Sequence, residues 1–439
     1  MYTPIYLKDH TYSNKIMKQK IALSILGIIS TFFSFAQESK GINTTANSFN
    51  NWTNFKPAST EYDEPTHILS GIIDKDMTLS NKNTYLLVGV VYIKNATITI
   101  EPGTVIRGDQ KTCGTLVVTR GAKIHAEGLE TNPIIFTSNK DGFSRKPGDW
   151  GGIILLGNAP INKISGMSFL DFNLDSSMCQ YGGKNAEDNS GILKYVRIEY
   201  SGRKLNELKE LNGLSMAGVG KQTVLSNIQI SYSNDDSFEC YGGEINLDHL
   251  ISYRCTDDDF DFTQGAQCNI SNSIAIRYPY NSDFSGSRCF EIDSYDKIEN
   301  ADINKKMTTI IANNITLINM ENNDQGLVRE SIFIKKDSNL TLNNSIISGF
   351  APFILLDKNI EPQAENLSKI TFSNVLINNC KGSFESEQST FNNELTNWFL
   401  NNSIVEFKKL SNNELFIDTN SKSKPDFRIR LNNNLVNNN

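Results

Sequence analysis

The sequence predicts an all-β protein, a parallel β-helix wound as a single-stranded solenoid, on three observations. A Phe-acid pattern is written three times, at Phe238-Glu239, Phe260-Asp261 and Phe290-Glu291, with the Phe residues 22 and 30 positions apart. That interval is too long for a helical heptad and fits repeats that stack on one another. Short β-rich runs of about four to six residues are broken by Gly, Pro and Asn. An Asn also stands before a short apolar run at Asn227, Asn272, Asn314, Asn344, Asn374 and Asn402, the last intervals being 30, 30 and 28.

In an extended segment alternate side chains face opposite ways. Each Phe and the residue two later therefore point inward, and Glu239, Asp261 and Glu291 point out as a carboxylate ladder. Phe238, Phe260 and Phe290 are expected to stack on successive coils. An Asn just before a strand suits a corner where left-handed backbone is tolerated and the amide serves neighbouring backbone groups. A β-propeller is the alternative architecture, but its blades need about 40 residues with antiparallel hairpins, and Asn-Gly hairpin signals are scarce. No segment demands a long amphipathic helix.

Taken in order, residues 1–36 read as an export signal: Lys15, Lys18 and Lys20 precede an apolar run from Ile21 to Phe35, with cleavage expected after Ala36. Met17 offers an alternative start. A retained anchor is the competing reading, against which the run is short and ends in small residues. No Cys follows the run for lipidation, and no later segment is apolar for long enough to span a bilayer. Residues 37–67 are rich in Asn, Ser and Thr and read as a flexible linker. Residues 68–439 are assigned to the β-helix, a repeat reading that overrides the two or three domains that 439 residues would otherwise suggest. The seven Cys are odd in number and irregularly spaced, which favours core packing over a disulfide scaffold. A net charge of -7 gives no footprint for nucleic acid.

The runs from Ile98 to Gly108 (ITIEPGTVIRG), Gly148 to Ile153 (GDWGGI), Leu193 to Gly202 (LKYVRIEYSG), Asp235 to Glu239 (DDSFE) and Asp257 to Asp261 (DDDFD) resemble a family of secreted or surface-attached right-handed parallel β-helix proteins of Bacteroidota. The resemblance is clearest over residues 68–293, with a closing motif at Lys424 to Arg428 (KPDFR). It implies a right-handed helix and a surface location, and it carries no established reaction.

The candidate chemistry sits in the acidic turns. Asp235, Asp236, Glu239, Asp257, Asp258, Asp259 and Asp261 are the candidate metal ligands. Carboxylates a few ångströms apart repel, and the repulsion needs an offset. Ca²⁺, which takes six to eight oxygens in irregular geometry, is one candidate; Arg288, in register with Asp236 and Asp258, is the other. Trp150, Arg254 and Arg277 are candidate ligand-binding residues. Trp150 reads as a sugar-stacking ring or, more simply, as packing in a Gly-rich turn. His67, His125 and His249 show no metal-ligand spacing. The function expected is an exported, non-catalytic surface protein that binds polysaccharide or a surface partner. The alternative is a lyase or glycoside hydrolase acting on acidic polysaccharide, with Asp236 or Asp258 as acid and Arg254 or Arg277 binding substrate or acting as base.

Overall fold

From Val224 the chain runs as one strand to Ser231, bends at Asn227, turns over residues 232–237 and resumes as Phe238–Tyr241. The next coil repeats this as Glu244–Tyr253, bent at His249, and Phe260–Thr263. The coil after it uses Gln267–Ser271, Ile274–Arg277 and Phe290–Ile292. Each strand pairs in parallel with its equivalent one coil on: Leu225 with Leu247, Ile228 with Leu250, Phe238 with Phe260, and Phe260 with Phe290. The described residues thus form three parallel faces, linked into one 27-stranded system, and the protein is a right-handed parallel β-helix. The computed structural model describes residues 1, 40–42, 49–207, 209–282, 286–321, 328–382, 384–421 and 424–430. Residues 1–36, expected to form an export signal, lie outside the described residues apart from residue 1. No helix among the described residues is long and apolar enough to cross a membrane.

Inward columns fill the interior. On the first face Leu225, Leu247, Ile270, Ala312, Leu342 and Phe372 stand in register and are buried, and each large one contributes about 1.5–3 kcal/mol. On the third face Phe238 and Phe260 stack with ring centroids 5.1 Å apart, and Phe290 meets Phe260 edge-on at 5.3 Å. Cys240 and Cys268 are buried in the same core.

The corner between the first and second faces is turned by a single left-handed residue: Tyr195, Asn227, His249, Asn272, Asn314, Asn344 and Asn374 all have φ between 49° and 57°. The Asn side chains form the expected ladder, with Asn314 Nδ2 donating to Asn272 Oδ1 at 3.1 Å and Asn374 Nδ2 to Asn344 Oδ1 at 2.8 Å. His249 occupies one rung and contacts Asp248 through Nδ1 at 2.6 Å. Asn402 does not belong to the ladder, because it ends a helix, Asn392–Asn402. Leu395 and Phe399 lie four apart, on one helical face, and Phe399 closes the end of the core against Phe353, Phe372 and Phe384.

The stretch read as a linker is partly built into the fold. Phe49, Trp52 and Phe55 are buried on the outer side of the second face, where Trp52 meets Tyr195 at 6.0 Å and Phe55 meets Tyr253 at 5.1 Å. Three apolar residues in a polar stretch make no period, yet each finds an apolar partner. The antiparallel pair Phe416–Asp418 and Asp426–Ile429 joins this cover, with Phe427 packing on Phe55 and Phe416. An insertion over residues 157–190 covers the early part of the third face, with Leu170, Met178 and Tyr181 over Tyr92, Val117, Ile154 and Leu156. Beyond it the outward column of that face runs Ile154, Ser215, Glu239, Asp261, Glu291, Phe333. The column turns acidic where the insertion's aromatic edge, Tyr181 and Phe172, reaches Tyr241.

Candidate functional site: an acidic groove

The groove follows the edge where the second face turns into the third. Asp235 and Asp236 lie in one turn and Asp257 and Asp258 in the equivalent turn one coil on, because Ser237 N–H bonds Asp258 C=O and Phe238 pairs with Phe260. Side chains extend the stacking: Asp258 N–H donates to Asp236 Oδ1 at 2.8 Å, and Arg288 N–H donates to Asp258 Oδ1 at 2.5 Å. Glu239 and Asp261 are added from the strands below the turns. Asp236 and Glu239 are buried, and Asp235, Asp257 and Asp261 are half-buried.

This clustering is electrostatically expensive. Burial first, and then the neighbouring carboxylates, push Asp235, Asp236, Asp258 and Asp261 well above the ordinary carboxyl range. Burial also raises Glu239, to about 7, although Tyr241 Oη and Asn212 Nδ2 donate to its Oε2 and pull the other way. One oxygen each of Asp235, Asp236 and Asp257 lie within 4.8 Å of one another, as do those of Asp236, Glu239 and Asp261. A Ca²⁺ ion bound at about 2.3–2.6 Å spans ligand oxygens up to about 5 Å apart, so both trios have a spacing that this ion tolerates.

Among the described residues Arg288 makes no ion pair with Asp236 or Asp258, the pairing that the register suggests. Its guanidinium turns to its own coil and the next, with Nη1 on Glu291 Oε2 at 2.8 Å and Nε on Glu330 Oε1 at 2.9 Å. Asp258 receives its backbone N–H, and the two charges do act on each other: Asp258 is the neighbouring charge that raises Arg288 most, while Arg288 lowers Asp258 against the stronger upward push of burial and the adjacent acids. Lys335 likewise serves the third coil, reaching Glu291 at 2.5 Å and Asp293 at 3.2 Å. Asp259 leaves the ligand set altogether. It faces the interior, where it accepts from Arg277 Nη1 at 2.9 Å, Cys255 Sγ at 3.0 Å and Ser252 Oγ.

A family model described as a pectate-lyase-like beta-helix domain matches residues 71–428. The chain belongs to this family. No curated protein and no solved structure matches it.

Within this pectate-lyase-like β-helix the three proposed ligand-binding residues do not converge on the groove. Trp150 is fully buried, with Nε1 bonded to Glu199 C=O at 2.7 Å and its ring parallel to Phe136 at 6.4 Å. A Cβ on Gly108 would lie 2.5 Å from Trp150 Cβ, so a glycine 42 positions earlier makes room for that ring and no sugar reaches it. Arg277 is buried by its pairing with Asp259. Arg254 is half-buried, its guanidinium 3.5 Å from the Tyr278 ring centre in a column that also holds Tyr232 and Tyr200. Sequence reasoning missed Asn212, Tyr241, Glu330 and Lys335. Asn212 carries the one usable signal, since it precedes a strand whose Leu214 pairs with Phe238 and so stands at the position of Asp236.

Proposed function

We propose that this pectate-lyase-like β-helix is an exported surface protein that binds acidic polysaccharide along the groove, with a divalent cation, Ca²⁺, between the protein's carboxylates and those of the ligand. The observation that carries the reading is the mutual approach, within 4.8 Å, of oxygens from Asp236, Glu239 and Asp261 on two successive coils, with the Arg288 and Lys335 cations directed to the coil below. Asp235 and Asp257 would complete the set. An acidic groove repels an acidic glycan, so the cation is the element that makes the pair compatible. Calorimetric titration with polygalacturonate and alginate tests it. Binding is expected in millimolar Ca²⁺, lost in chelator and lost in Glu239→Gln/Asp261→Asn; calcium-independent binding, or none, overturns it.

Turnover of the polysaccharide is the second reading, favoured by one observation: a buried carboxyl near 7 is suited to act as a general acid at neutral pH. Arg277, enclosed with Asp259, is not placed to act as a lyase base. Release of reducing ends that disappears in Glu239→Gln, without absorbance near 235 nm, would establish hydrolysis in place of binding alone.

A further inference from the structure

We propose that the protein pairs with a second copy of itself, head to head through its first coil, to form one longer β-helix. This association is independent of the acidic groove. The two ends of the solenoid are finished differently. At the last coil Leu395 and Phe399 cover the core. At the first coil His67–Ile73 and Met77–Leu79 are edge strands, each paired among the described residues on one side only, with Thr84–Ile93 and Thr97–Ile100. Met77 stands inward, in register with the fully buried Ile98, yet it is 40% exposed. Outward, Ile68 and Ile72 are 68% and 51% exposed. A free apolar edge is a template for another strand, and a stack of repeats needs its end covered.

The ends of the described chain lie elsewhere. Lys40 pairs with Glu406 on the strand Ile404–Lys408 of the last coil, and the chain returns along the second face to His67. Arg430 N–H bonds Leu415 C=O within the cover of that face. The described chain thus brings nothing of its own to the open end, and a second copy offers what that end lacks.

The fit follows from the topology. In the first coil residues 67–70 lie on the second face, residues 71–73 on the third, and, after the turn at 74–76, Met77–Leu79 on the first. Two such ends brought face to face run in opposite senses, so their edges meet antiparallel, which mixed sheets accommodate. A two-fold axis through the 74–76 turn lays residues 71–73 of each copy on Met77–Leu79 of the other, segments of equal length. Directly opposed residues in an antiparallel pair point the same way, and here the alternation agrees. Inward, the half-buried Ile73 meets the exposed Met77 and Gly71 meets Leu79; outward, Ile72 meets Thr78. On the second face residues 67–70, with Ile68, meet the same segment across the axis. The contact is self-complementary, as a two-fold dimer requires. The two edge strands hold ten residues, fewer than the roughly 20–30 a side of a standard interface, so the dimer is expected to dissociate on dilution.

The test is sedimentation velocity of the full chain over a dilution series, with small-angle scattering at the concentrated end. A monomer–dimer equilibrium is expected, the dimer nearly doubling the longest dimension. Ile68→Lys/Met77→Lys should weaken association tenfold or more, and Ile404→Lys, at an exposed position on the last coil, should leave it unchanged. The register is read separately, so that a misfolded lysine variant does not decide the outcome. Under a mild copper oxidant, which takes up the two electrons, Ile72→Cys/Thr78→Cys should form a disulfide between copies, and neither single variant should. A chain that stays monomeric at every concentration, a dimer no longer than the monomer, association that survives Ile68→Lys/Met77→Lys or is lost in Ile404→Lys, or a double cysteine variant that does not cross-link overturns the proposal.

Discussion

Glu239, Asp261 and Glu291 are neighbours in one outward column, in register on three successive coils, yet the chain treats them differently. Glu291 sits between Arg288 and Lys335, and its coil also pairs Asp293 with Lys335. Among the described residues Glu239 receives only neutral donors, Asn212 and Tyr241, and Asp261 is pushed up by burial and then by Glu239 and Glu291, more than Lys335 pulls it down. A solenoid places like on like at each coil, so a column of acids is stable only where something neutralises it. In the third coil the chain supplies its own cations. In the first two, Glu239 and Asp261 form no ion pair among the described residues, and burial favours their protonated forms.

The largest expected effect destroys the column itself. Phe260→Ala removes the ring between Phe238 and Phe290, costing about 3–5 kcal/mol and lowering Tm in thermal unfolding; a loss below about 1 kcal/mol would mean that the stacked rings do not set the register. Next, Arg288→Met makes the third coil resemble the other two. Glu291 and Glu330 lose a buried partner, at a cost of about 3 kcal/mol or more at neutral pH, part of which added Ca²⁺ should restore if the spacing of the acids is what recruits it.

The third prediction concerns pH. Glu239 has a folded-state value of about 7 against an ordinary 4.5, so the folded protein holds a proton that the unfolded chain releases. Without divalent cations, the stability contributed by Glu239 is therefore full below about pH 4.5 and is lost as pH rises to about 7, a change of roughly 3 kcal/mol. Unfolding in chelator at several pH values measures it, and Glu239→Gln should flatten the decline. A stability that rises across that window would show that Glu239 is ionised and paired in the fold. The smallest effect belongs to Arg254→Ala, which loses contact with Tyr278, costs about 0.5–2 kcal/mol and should leave binding in the groove unchanged.

The sequence made the columns legible and the turns illegible. Alternation along a strand fixes that Phe238, Phe260 and Phe290 face inward and the following acids outward, and the Asn spacing marks the left-handed corner because few other residues tolerate it. Turn residues obey no such alternation. Asp257, Asp258 and Asp259 are consecutive, yet Asp258 takes a backbone N–H from the next coil while Asp259 enters the core to meet Arg277. The fates of Trp150 and Arg288 depend on Gly108 and Glu330, each 42 positions away, and no local pattern reports such partners. Residues 49–59 misled for the opposite reason, since their few apolar side chains match an outer surface whose composition is visible only once the coils are stacked.

We propose that the first two acidic coils are built to exchange protons for a divalent cation. Calorimetric titration of the full chain with Ca²⁺, repeated at neutral pH in two buffers of different ionisation enthalpy, measures affinity and proton release together. Saturable binding is expected, with release of protons from the raised carboxyls, abolished by Glu239→Gln/Asp261→Asn and preserved in Arg254→Ala. No saturable heat at millimolar Ca²⁺, or binding that is unchanged in the double variant, would contradict it.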